Sequence, residues 1–120
     1  MGDVEYRDAS TGTLAVGVFD DAGNRVIRVG GELDLATVPS LEQELEAALG
    51  RPDGGVVVDL SELDFIDSTG IAVLVRAMGN SNGAGRWKFV PSRSEGVARV
   101  LEMTGVSERM QLAEGVRPSS

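Results

Sequence analysis

A chain of 120 residues, 42% of them hydrophobic, is the size of one domain with one core. It has neither Cys nor His, which excludes disulfides, thiolate metal sites, Ser-His triads and His-ligated zinc. Its formal net charge of −8 would be repelled by nucleic acid and by anionic lipid, which argues against both as partners.

Residues 1–13 are polar, with a short strand expected near Val4–Tyr6. The opening MGDVEYRDAST lacks the pattern of a signal peptide, and no apolar run approaches the roughly 20 residues of a membrane span, so a cytoplasmic protein is expected. Leu14–Phe19 and Arg25–Val29 read as strands, and the turn chemistry of Asp20–Asn24 joins them as an antiparallel hairpin. A helix follows from about Thr37 to Leu49, with Val38, Leu41, Leu45, Ala48 and Leu49 on one face and Glu42, Glu44 and Glu46 on a solvated one. Pro39 is tolerated in its first turn, and the Gly- and Pro-rich stretch 50–55 stops it.

Val56–Leu60 is apolar except for Asp59, which suits a central strand covered on both faces. The almost wholly apolar Ile71–Met78 predicts a short, buried helix starting near Gly70, so Val57 and Leu74 are expected in the core. Gly79–Gly85 reads as a flexible loop, and Trp87–Val90 as a strand whose Trp87 and Phe89 face the core. Ser92 with Glu95 is a capping-box pattern opening a helix through Val97, Val100, Leu101 and Thr104, which Gly105 ends. Met103 and Met110 are expected as gap-fillers, and residues 111–120 as a polar tail. The order predicts a single α/β domain over residues 14–110: a mixed four- to five-stranded sheet, an antiparallel hairpin followed by parallel strand–helix units with right-handed crossovers, packed with three to four helices.

Between the two apolar runs stands Asp67-Ser68-Thr69-Gly70. A helix starting there leaves several N–H groups unpaired, and Ser68 or Thr69 can cap them while Asp67 complements the dipole. The same helix end also suits a phosphate. A phosphoryl group on Ser68 would bring about −1.5 to −2 charges, against Asp67 in sequence and against Asp34 and Asp59, both expected at or just past C-terminal strand ends. Such a change is a surface charge switch and leaves the fold standing.

The segments GELDLATVPSLEQEL (31–45), VVVDLSELDFIDSTGIAVLV (56–75) and FVPSRSEGVARVLEMTGV (89–106) together resemble the STAS domain of bacterial anti-sigma factor antagonists. The most specific part is Asp59-Leu60-Ser61 followed by Phe65-Ile66-Asp67-Ser68-Thr69-Gly70. In that family the serine after the Asp is phosphorylated by a partner that is both anti-sigma factor and serine kinase, bound to ATP or ADP. The resemblance implies that Ser68 is the phosphorylated residue. It implies that the unphosphorylated form binds the anti-sigma factor and releases a sigma factor, and that a metal-dependent serine phosphatase restores it. Asp34, Asp59, Asp67, Ser68, Thr69, Gly70 and Ile71 are then the expected partner-binding residues. A regulator of this kind is not an enzyme and is expected to need no cofactor or metal of its own.

A response-regulator receiver is ruled out by topology, because Ala22–Asn24 leaves no room for a helix between the first two strands. A phosphate-handling enzyme is disfavoured because no Gly-rich loop with a Lys follows a strand. The alternative is a STAS domain that is not phosphorylated and serves as a scaffold or accessory subunit of a signalling or transport complex.

Overall fold

The computed structural model describes residues 7–51, 54–80 and 87–109. Their order is β1 (Arg7–Asp8), β2 (Leu14–Asp21), β3 (Asn24–Leu33), α1 (Val38–Leu49), β4 (Gly55–Ile66), α2 (Ser68–Asn80), β5 (Trp87–Val90), α3 (Glu95–Met103) and α4 (Val106–Arg109). The sheet is five-stranded in the order β1-β2-β3-β4-β5. β1–β2 and β2–β3 pair antiparallel, whereas β3–β4 and β4–β5 pair parallel. The expected mixed sheet, with its hairpin first, is therefore present. The short edge strand lies at Arg7–Asp8, and the position expected for it, Val4–Tyr6, falls outside the described residues.

The hairpin turn is tighter than the sequence suggests. β2 and β3 run on to the pair Asp21↔Asn24, leaving Ala22 and Gly23 as the two loop residues. Both have positive φ, 52° and 85°, the geometry whose twist matches the strands it joins. Thr37 precedes α1 instead of opening it, and Pro39 stands in the first turn, where its missing N–H is harmless.

α1, α2, α3 and α4 all pack on one face of the sheet, where Val16, Ile27, Val29, Leu33, Val58 and Leu60 meet Leu41, Leu74, Val97 and Val106. On the opposite face Val26, Val57 and Val90 form a smaller buried cluster with Phe19 packed against it. Val57 and Leu74 are thus both core, as are Trp87 and Phe89. Three expectations fail. Met103 is 76% exposed and fills no gap, and Glu44 is buried among the acids expected to be solvated. α3 is capped by Ser94, which accepts from the Val97 N–H, while the Ser92 hydroxyl donates to the Leu63 carbonyl and accepts from the Ser94 N–H. Met110 and the loop beyond Asn80 lie outside the described residues.

β4 departs most from expectation. It continues six residues past Leu60, to Ile66, through two register shifts against β3. One lies between the pairs Arg28↔Asp59 and Gly30↔Glu62, the other between Gly31↔Leu63 and Glu32↔Phe65. Each is a bulge that adds residues to β4 without a partner on β3, so its apolar positions do not alternate strictly.

The turn between β4 and α2

The two strands that lead into the site end side by side. Leu33 pairs with Ile66, and the Asp67 N–H donates to the Leu33 carbonyl at 3.2 Å, so Asp34 and Asp67 leave the sheet together. Asp67 is the residue that caps α2. Its carboxylate accepts from the N–H groups of Thr69 (2.9 Å) and Gly70 (3.2 Å) and from the Thr69 hydroxyl, and its carbonyl accepts from the Ile71 N–H. This meets the helix's unpaired donors with a negative charge at the positive end of its dipole. The Thr69 hydroxyl, helped by the backbone N–H groups of Gly70, Thr69 and Leu35, holds the Asp67 carboxyl below its usual range against the opposing effect of desolvation.

The helix therefore starts two residues before Gly70, and the capping role expected of Ser68 or Thr69 belongs to Asp67. Ser68, the first residue of α2, is exposed, and its hydroxyl makes no hydrogen bond to a described residue. Thr69 is half-buried and held by Asp67. Gly70 is buried, and a Cβ there would lie 2.8 Å from Ile66 Cγ1 and 2.9 Å from both Cγ and Cδ2 of Leu33. Glycine lets the first turn of α2 sit directly on β3. Ile71 follows, half-buried against the core.

Asp34 is half-buried beside this turn. Its Oδ1 accepts from the N–H groups of Ala36 and Thr37, both at 3.1 Å, and its own N–H donates to the Thr37 hydroxyl at 2.9 Å. Asp59 does not belong here. It is fully buried in the middle of β4, where Oδ2 accepts from Arg28 Nε at 3.0 Å and Oδ1 from the Ser61 N–H at 2.9 Å. The Arg28 guanidinium also lies 5.0 Å from the centre of the Phe19 ring. The sequence suggests a strand end at Asp59, but β4 continues beyond it, and the carboxylate serves a structural ion pair on the face opposite the helices.

Two residues at this end lie inside the family-like segments without an expected role of their own. Leu35 is 73% exposed and Phe65 is 48% exposed. Apolar residues next to a polar turn are the only signal the sequence offers, and burial is the ordinary expectation for them. No group of three or more acids among the described residues is placed to hold a metal ion. No helix among them is long and apolar enough to cross a membrane.

The STAS domain family profile matches residues 16–118. An anti-sigma-B factor antagonist of Staphylococcus aureus is 34% identical over 91 residues, covering 74% of this chain and 82% of that protein. The crystal structure of an anti-sigma factor antagonist from Mycobacterium paratuberculosis superposes with a TM-score of 0.77 at 27% identity, covering 86% of this chain and 87% of the other. The unphosphorylated form of the anti-sigma factor antagonist SpoIIAA gives a TM-score of 0.62 at 19% identity over 92% of this chain and 90% of that one, a likeness of fold alone. With a matching profile over most of its length and a relative 34% identical over 74% of it, the chain belongs to the STAS domain family.

Proposed function

We propose that this protein is an anti-sigma factor antagonist switched by phosphorylation of Ser68. The unphosphorylated form binds an anti-sigma factor that is also a serine kinase, which frees a sigma factor. Phosphorylation ends the binding and a serine phosphatase restores it. The antagonist role is supported by the names of the relatives. The observation that carries the switch is the contrast between adjacent hydroxyls: Ser68 is exposed and unbonded to described residues at the start of α2, whereas Thr69 is tied to Asp67. An attacking hydroxyl must come within about 3–3.5 Å of the transferred phosphorus, in line with the leaving oxygen. Ser68 has that freedom without disturbing the cap, and Thr69 does not.

The phosphoserine would sit at the positive end of α2, so the helix tolerates it. It would also add about −1.5 to −2 charges beside Asp67 and Asp34 and opposite the nucleotide phosphates of the kinase. Like charges brought together in an interface cost several kcal/mol, enough to release the partner. The protein is a regulator and carries out no chemistry itself. The test is incubation with the anti-sigma factor kinase of the same cell and ATP, followed by intact-mass measurement and peptide mapping. One phosphoryl group is expected on Ser68, retained in Thr69→Ala and lost in Ser68→Ala. No transfer, or transfer to Thr69, would overturn the proposal and favour a scaffold that is not phosphorylated.

A further inference from the structure

We infer that Leu35 and Phe65 are the apolar anchors of the anti-sigma factor complex, and that the partner meets them with an apolar socket rimmed by Lys and Arg. This rests on the reading of the protein as an anti-sigma factor antagonist. Both side chains are held in water by identifiable features. The bulge between Gly31↔Leu63 and Glu32↔Phe65 puts Asp64 into β4 as an extra residue. Without it, Phe65 would stand opposite Leu33 on the helix-covered face. With it, Ile66 takes that place in the core and Phe65 turns outward. Bulges next to functional sites commonly re-aim a side chain in this way. At Leu35, the turn 34–37 is fixed by the Asp34 carboxylate, which accepts from the N–H groups of Ala36 and Thr37, and by the Thr37 hydroxyl, which accepts from the Asp34 N–H and donates to the Glu32 carbonyl. The buried Thr37 thus locks a turn whose one large apolar side chain faces solvent.

The electrostatics select the occupant. Neither segment that leads into and out of this end, 29–50 nor 54–75, carries a Lys or Arg. Glu32 pairs with Phe65, Glu62 and Asp64 precede it on β4, and all three acids are exposed, while the half-buried Asp34 and Asp67 follow the paired strand ends Leu33 and Ile66. Arg93 approaches Glu62 only to 3.9 Å. A second copy of this chain would bring the same acids face to face, whereas a basic rim would complement them and steer encounter. The anchors also divide labour with Ser68: apolar contact supplies affinity, and the serine supplies the charge that ends it.

The test is calorimetric titration of the ADP-loaded anti-sigma factor kinase with Leu35→Ser, Phe65→Ser, the double variant, and Met103→Ser as an exposed apolar control on α3. Each anchor variant should bind at least about tenfold more weakly and the double about a hundredfold, with melting temperatures unchanged and Met103→Ser within about twofold of wild type. Wild-type association should slow steeply as salt rises from 50 to about 500 mM. Binding of both single variants within about twofold of wild type would overturn the inference. So would a wild-type homodimer that the same changes dissolve while kinase affinity holds. Ser68→Asp, run alongside, separates the two readings. If it binds normally while the anchor variants fail, the switch falls and the docking surface stands. If it fails while the anchor variants bind normally, the docking surface falls and the switch stands.

Discussion

Gly70 lies so close to Leu33 that a Cβ on the glycine would be 2.9 Å from the leucine Cγ, and Leu33 is itself fully buried. This contact seats the first turn of α2 on the end of β3 and so fixes where Ser68 stands. Gly70→Ala gains helix propensity of about 1 kcal/mol but forces two buried side chains aside, an overpacking that costs about 1–3 kcal/mol. A net loss of stability is expected in urea melts, with weaker kinase binding in the folded fraction. A stability gain would show that the helix end shifts freely and that the seating is loose.

Ser68→Ala and Ser68→Asp should separate fold from switch. The alanine removes a hydroxyl bonded to no described residue, so it should melt as wild type does and keep kinase binding. The aspartate should melt no lower, because the helix dipole accepts an anion there, yet bind at least about tenfold more weakly. If Ser68→Asp binds like wild type while Ser68→Ala does not, the hydroxyl is a direct contact and the charge switch is wrong.

Asp67 gives the stability a dependence on pH. Its carboxyl is held below the usual range in the folded protein, chiefly by the Thr69 hydroxyl. The folded state therefore binds that proton less readily than the unfolded state does. The stabilisation is fully present above the unfolded value of about 3.9 and is lost as pH falls through the lower folded value. Asp67→Ala should lower the melting temperature at pH 7, and the gap from wild type should narrow below about pH 4. A gap that stays constant to pH 2 would mean that the charged form of the cap contributes nothing.

Arg28 and Asp59 should matter to stability and not to partner binding. Asp59 is fully buried and Arg28 partly so, and removing the cation strands a buried carboxylate. Arg28→Ala is expected to cost about 3 kcal/mol. In a binding titration of the folded protein it should match wild type, because β4 runs from Asp59 on to Ile66 before the turn begins. A selective loss of affinity would return Asp59 to the interface.

Val57→Asp and Leu74→Asp should each abolish the cooperative melt, since an unpaired charge in either buried cluster costs several kcal/mol of a total of roughly 5–15. An unchanged melting temperature in either variant would mean that the side chain reaches water.

Local patterns make most of this architecture legible. The spacing of Val38, Leu41 and Leu45 marks a helix because one face repeats, and Asp20–Asn24 marks a hairpin because too few residues remain for any other connection. Trp87–Val90 is a strand with the bounds its apolar run suggests. The second half of β4 is hidden because its two bulges destroy the alternation by which a strand is known, so the strand expected from the sequence stops at Leu60. Asp59 misleads for a related reason: its partner Arg28 is 31 residues away, and a lone acid in an apolar run looks like the end of that run. The helix start is displaced by two residues because Asp, Ser and Thr all cap well, and only geometry decides among them. The exposure of Leu35 and Phe65 follows from the same bulge and turn, which no residue type announces.

Each strand of the sheet lies beside the one that precedes it in the chain, so synthesis adds to one growing edge and never leaves a slot for a later strand to fill. Everything that forms the turn around Ser68 has been made once Asn80 clears the ribosome: β3, β4 and α2 are all upstream. A nascent chain can thus assemble the turn around Ser68 before β5 has emerged to pair with β4.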